Sequence, residues 1–233
     1  MPVRTAIASG ILAAAVIAVG PAFADPIVTV TAIPGSDFTT NAMSGFQTTG
    51  ADMIGLTAVV TFSDSSTDSA TWAATGATAG NATGTGWSLA LAGDSFTTPW
   101  VLTNIGAKTI VGLSLNGVPG NTSFDIVNGP EDTPGSANGQ PFSSVTSADV
   151  NLTNADATYS NRLVVGGTFF GDEYVQLDVA LRAGLSPDHI MSFVADTDNA
   201  AANSPIEPAP EPASIALLGA GFAGLAISRR RRL

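Results

Sequence analysis

The sequence predicts an all-β fold, an antiparallel β-sandwich of jelly-roll-like type, closed at its C-terminus by a transmembrane helix. Three observations carry that expectation. Apolar residues alternate with polar ones at period two along most of the chain; Gly, Pro and Asn clusters recur every 8–12 residues or so; and no stretch between the two ends keeps a 3.6-residue period over three turns. Helix enters only through two apolar runs, 6–19 and 213–227.

The strands follow in order. Leu56, Ala58, Val60 and Phe62 share one face, with Thr57, Val59 and Thr61 on the other. Trp87, Leu89 and Leu91 alternate with Ser88 and Ala90. Thr109, Val111, Leu113 and Leu115 alternate with Ile110, Gly112 and Ser114, and Val175, Leu177, Val179 and Leu181 with Tyr174, Gln176, Asp178 and Arg182. Such strands pack one face on a core and leave the other in water. Between them the turn formers gather at 63–68, 75–86, 116–120, 128–140 and Gly166-Gly167.

The ends of the chain read as addresses. Arg4 precedes the apolar run 6–19, and Ala22 and Ala24 fit an A-x-A cleavage pattern, so residues 1–24 are expected to be a signal peptide, handled by the Sec export machinery and cut after Ala24. Residues 25–200 form the β-sandwich domain, 201–209 an Ala/Asn/Pro-rich linker, and 210–233 a terminal signal. The terminal signal consists of Pro210-Glu211-Pro212, a fifteen-residue run from Ala213 to Ile227 that is apolar except for Ser214, and the cluster Arg229-Arg230-Arg231-Arg232. A helix of that length rises about 22 Å, short of a hydrocarbon core of about 30 Å unless the arginine stems extend it. Four arginines beyond it keep the C-terminus cytoplasmic while the body lies outside. Within the run, Gly219-Ala220-Gly221-Phe222-Ala223-Gly224 matches G-x-G-x-x-G, but only nine residues follow and no βαβ unit can form. The glycines suit a short membrane helix better.

This tail resembles the PEP-CTERM sorting signal of bacteria that make exopolysaccharide. The resemblance implies handling by an exosortase, a membrane peptidase that cuts near the motif, with Pro210, Glu211 and Pro212 as its recognition residues. It also implies transient membrane anchoring, then delivery to the cell surface or outside. The body is similar to that of other proteins bearing such tails, through Val60-Thr61-Phe62-Ser63-Asp64, Ala70-Thr71-Trp72, Gly84-Thr85-Gly86-Trp87-Ser88-Leu89, Pro134-Gly135-Ser136-Ala137-Asn138-Gly139 and Phe193-Val194-Ala195-Asp196-Thr197-Asp198-Asn199. No activity transfers with that likeness.

Composition excludes several chemistries. The chain holds 8 Lys+Arg against 19 Asp+Glu, a net charge of −11. Five of the eight bases, Arg4 and Arg229 to Arg232, belong to the end segments, so residues 25–212 keep Lys108, Arg162 and Arg182 against all 19 acids and carry about −16. A nucleic-acid partner is therefore not expected, because phosphate binding draws on clustered bases. Having no cysteine rules out thiolate catalysis, Cys-ligated metals and a disulfide framework. His189 is the only imidazole, which excludes multi-histidine metal centres.

What remains is oxygen chemistry. Asp196, Asp198 and Asn199 present ligands at i, i+2 and i+3 at the end of a strand and form a candidate calcium site, with Asp64, Asp68, Asp132, Asp172 or Glu173 as further donors. The segment lacks the glycine and distal glutamate of an EF-hand loop, and solvated turn formers are the plainer reading. The doublets Asp172-Glu173 and Glu131-Asp132 would serve a glycosidase only from a loop, since neighbours on a strand face opposite ways. Ser186-Pro187-Asp188-His189 has no nucleophile elbow beside it. Trp72, Trp87, Trp100, Tyr159 and Tyr174 suit the core better than a sugar platform. The Asn-x-Ser/Thr triplets at Asn81, Asn121 and Asn151 read as chance in a Thr-rich chain. No catalytic residue is nominated. The expectation is a non-enzymatic protein of the cell envelope or matrix, associated with exopolysaccharide, with a calcium-assisted carbohydrate-binding module as the alternative and an extracellular polysaccharide hydrolase as a remote one.

Overall fold

The computed structural model describes residues 27–210 apart from 34, 46, 127–131, 137 and 148–153. Its strands, in chain order, are β1 (Ile27–Ala32), β2 (Phe38–Thr40), β3 (Met43–Gly45), β4 (Thr57–Phe62), β5 (Thr67–Thr71), β6 (Ala73–Ala74), β7 (Ala79–Gly84), β8 (Trp87–Ala92), β9 (Trp100–Asn104), β10 (Ile110–Asn116), β11 (Thr122–Asp125), β12 (Ser143–Ser147), β13 (Asn154–Val165), β14 (Glu173–Leu185), β15 (Ile190–Val194), β16 (Asp196–Ala200) and β17 (Glu207–Pro208). One 3-10 turn, Val118–Gly120, interrupts them.

Two sheets result. The larger runs β17-β2-β13-β14-β10-β4-β5, with β1 beside β13 and the chain of pairs β14-β11-β16-β3 leading off one end. The smaller runs β12-β15-β9-β8-β7-β6. Alternation places one face of each sheet on a common core: Ala58, Val60, Leu113, Leu115, Leu177 and Val179 from the larger meet Trp87, Leu89, Leu91, Trp100, Leu102 and Phe193 from the smaller. Burial of a Leu- or Phe-sized side chain stabilises by about 1.5–3 kcal/mol, and this shared layer is what joins the sheets. The all-β expectation therefore holds. The terminal membrane helix falls at 213–227, outside the described residues, as do the signal peptide and its Ala22 and Ala24. Among the described residues no helix is long and apolar enough to cross a membrane.

Four local features differ from the sequence reading. First, β10 changes face: Ile110 is buried with Leu113 and Leu115, while Val111 is only partly so, because the register shifts between Ile110 and Gly112 against both neighbours. A β-bulge of this kind inserts one residue and reverses the alternation beyond it. Second, 75–86 is not all turn. Its Gly/Ala/Thr composition conceals β7, where Gly80 lies under the Trp72 indole and Gly84 under that of Trp87, with no room for a Cβ at either. Third, the larger sheet is mixed, since β13 accepts both β1 and β2 in parallel at successive stretches of its twelve residues. Fourth, residues 201–209 lie along the body. Ser204 and Ile206 are buried, β17 pairs with β2, and Asn121 clips the segment by accepting from the Ile206 amide.

Candidate functional site: a buried carboxylate cluster

Strand β11, Thr-Ser-Phe-Asp, is buried along its whole length between β14 and β16. Asp125 stands opposite Glu173 on one side and Asp196 on the other, and Ser123 stands opposite Asp198. Directly opposed residues of an antiparallel pair share a face. Ser123, Asp125, Glu173 and Asp198 thus point one way, with Asp196 at the margin of the group. Phe124, Tyr174 and Thr197 point the other way; Phe124 and Tyr174 join the apolar core, and the Thr197 hydroxyl reaches the Met53 sulfur.

Asp125, Glu173 and Asp198 each offer a carboxylate oxygen within 4.8 Å of the other two. All three are essentially inaccessible to solvent, at 1%, 0% and 1% exposure. A loop closes over them: Ser136 donates to Asp125 Oδ2 at 2.7 Å, and Thr133 donates to Asp172 through its amide and hydroxyl at 2.5 and 2.7 Å. Asp196 is held by the Ser95 hydroxyl and the Thr197 amide, both at 2.8 Å. None of the four carboxylate oxygens of Glu173 and Asp198 has such a donor.

The electrostatics follow from that burial. Loss of solvent pushes the Glu173 carboxyl well above its ordinary range, and the charges of Asp198 and Asp125 push it the same way. Burial raises Asp198 to about 7, with Asp125 adding to the shift, and raises Asp196 to about 8 against the opposing hydrogen bond from Ser95. The hydroxyls near Glu173 and Asp198, Ser123 and Ser136, offset only part of this. The body's bases are committed elsewhere, Lys108 to Asp64 at 2.6 Å, Arg162 to Asp37 at 2.7 Å and Arg182 to Asp156 at 2.7 Å. An arrangement of this kind can hold a cation or share protons. Its closure leaves a polymeric substrate no way to reach it.

The residues singled out from sequence separate. Asp198 enters the cluster, Asp196 lies beside it, and Asn199 faces away, its amide donating to the Asp52 carbonyl and its oxygen accepting from Thr122. The segment is an interior strand, where i and i+2 share a face and i+3 does not. Of the further donors, Glu173 is in the cluster and Asp172 is tied to Thr133. Asp64 pairs with Lys108 and Ser66, which hold its carboxyl well below the usual range. Asp68 accepts from Thr85 and from the Trp87 indole, and its carboxyl is lowered likewise. Asp132 is partly buried in the covering loop and is not in the cluster. Asp125 was not among the candidates, and nothing in Ser-Phe-Asp distinguishes it from a solvated strand end. Trp72, Trp87, Trp100, Tyr159 and Tyr174 are buried and offer no ring to a sugar. His189 lies in the turn after β14, its amide donating to the Ser186 carbonyl.

Of the terminal signal, Pro210 is described and exposed, whereas Glu211, Pro212 and Arg229 to Arg232 lie outside the described residues. No curated protein and no solved structure matches the chain. A family model does match at the C-terminus, over residues 208–232, and its description is the PEP-CTERM protein-sorting motif. The match covers Pro210-Glu211-Pro212, the apolar run and all four arginines. The chain is thus an exported protein that carries a PEP-CTERM sorting motif and is sorted by an exosortase.

Proposed function

We propose that this chain is a non-enzymatic structural protein of the cell envelope or extracellular matrix, associated with exopolysaccharide and released to the surface after a transient stay in the membrane. The observation that carries the reading is the sorting motif at 208–232, joined to an acidic all-β body whose bases are all ion-paired. Residues 25–212, at about −16, repel anionic polymers unless cations bridge them, so their contact with acidic polysaccharide would run through divalent ions. Burial of the five large aromatic rings favours this reading over a stacking lectin. Closure of the carboxylate cluster favours it over a hydrolase.

Fractionation with mass spectrometry of the mature termini tests the sorting half. Wild type should be processed near Pro210-Glu211-Pro212 and leave the membrane. The triple replacement Pro210→Ala, Glu211→Ala, Pro212→Ala, or neutralisation of Arg229 to Arg232, should leave unprocessed protein in the membrane. Normal delivery of either variant would refute the assignment. Incubating the processed protein with polysaccharides tests the other half: measurable turnover would make it an enzyme, and specific binding on a glycan array would make it a lectin.

A further inference from the structure

We propose that Asp125, Glu173 and Asp198 form a buried calcium site that ties β11, β14 and β16 together beneath the 132–136 loop. Neighbouring acids show what the fold does with a carboxylate meant to stand alone. Asp172 receives two donors from Thr133, and Asp196 receives one from Ser95 and one from Thr197. Glu173 and Asp198, a strand or less away, receive none, although they are no more exposed to water. A buried carboxylate lacking donors and a counter-charge is strongly disfavoured, and Glu173 and Asp198, side by side with Asp125, call for a cation or shared protons among them.

Among the described residues no basic side chain fills that role. Lys108, Arg162 and Arg182 are paired at other acids, and the charged neighbours acting on Glu173 are Asp198, Asp125 and Asp172. Three carboxylates present six hard oxygens with no nitrogen or sulfur, which suits calcium or magnesium and not zinc or copper. Calcium accepts six to eight oxygens, including bidentate carboxylates, in irregular geometry. Magnesium keeps several waters in a strict octahedron, for which a closed site of this kind is unsuited. The Ser123 and Ser136 hydroxyls stand nearby as neutral oxygens; Ser136 already orients Asp125. The alternative occupant is a proton held between Glu173 and Asp198.

Thermal unfolding of the full chain at pH 8, first stripped with EDTA, separates the two. Calcium at a hundredfold excess over its Kd should raise Tm by about 5–10 °C, with one ion bound per chain by titration calorimetry, and magnesium should do much less. Glu173→Gln and Asp198→Asn should abolish the calcium response while leaving the EDTA-stripped Tm unchanged or higher, because each removes a buried charge. Asp178→Asn, on the exposed face of β14, should respond as wild type does. Wild type whose Tm and heat signal ignore calcium would overturn the site in favour of the shared proton. So would a calcium shift that survives in both Glu173→Gln and Asp198→Asn, since the ion would then be bound elsewhere.

Discussion

Trp72 lies directly against Gly80, its indole occupying the space a Cβ on that glycine would need. The same indole donates to the Gly50 carbonyl at 2.7 Å, and that carbonyl crowds the Gly80 position too. Backbone and ring are both fixed, so neither yields to an added methyl. Gly80→Ala should lower unfolding free energy by about 1–3 kcal/mol in urea titration, whereas Gly76→Ala, whose Cβ would have ordinary contact distance, should stay within about 0.5 kcal/mol.

Tyr159 is fully buried and its hydroxyl accepts from the Phe142 amide at 2.7 Å. Burial, with the Asp196 and Asp125 charges, holds the phenol well above its ordinary range, so it stays neutral. Tyr159→Phe keeps the ring contacts with Phe124 and Tyr174 but strands a buried N–H. The expected loss is about 1–3 kcal/mol, measured by chemical denaturation, with little change in near-UV circular dichroism from the tryptophans.

The metal-free protein should respond to pH in a defined direction. Glu173, Asp196 and Asp198 titrate higher in the folded chain than in the unfolded one, so the folded state binds more protons in between. The contribution of these three groups to stability is then fully present below the ordinary carboxylate values of about 4 and is lost as pH rises through about 7 to 8. Facing these three are Asp125, Asp172, Ser95, Ser123 and Ser136, none of them a base. Denaturation in EDTA at pH 5.5 and 8.5 should show the lower-pH sample to be the more stable; the opposite order would mean the cluster is not buried as described.

Arg162 grips Asp37 through two nitrogens, at 2.7 and 3.0 Å, and lies over the Phe169 ring at 5.2 Å. It fastens the segment leading into β2 to β13. Arg162→Lys keeps the charge but loses the fork and the stacking, so a loss of about 0.5–1.5 kcal/mol is expected, with part of it persisting at 1 M salt.

The legible part of this fold was the half-buried strand. In β4, β8 and most of β14 each core residue is followed by one that meets water, and the sequence shows that rhythm directly. Where both faces are covered the rhythm disappears. Thr122 to Asp125 are all buried, so the polar members of β11 looked like surface. Strand β7 was hidden for a different reason, since the indoles of Trp72 and Trp87 demand glycine where a strand would ordinarily carry branched side chains. The bulge at Ile110 and the parallel seats of β1 and β2 on β13 depend on partners distant in sequence. The carboxylate cluster combines both problems: Asp125, Glu173 and Asp198 come from three separate segments, and an acid in a sequence is read as solvated until its neighbours are known. Asp198 was singled out because Asp196 and Asn199 lie beside it, yet Asn199 faces elsewhere.

The pairing of β17 with β2 bears on how the domain is carried. Glu207 and Pro208 are laced to Thr39 and Phe38, the Ala209 amide donates to the Asp37 carbonyl, and Ser204 is anchored by Thr40. Pro210 follows at once, so the sorting motif begins where the sheet edge ends. A cut made at Pro-Glu-Pro falls beyond these pairings and leaves them within the released domain. The last strand of the body therefore doubles as the hem of its sheet, and trimming the chain upstream of Glu207 would unpick the edge at β2.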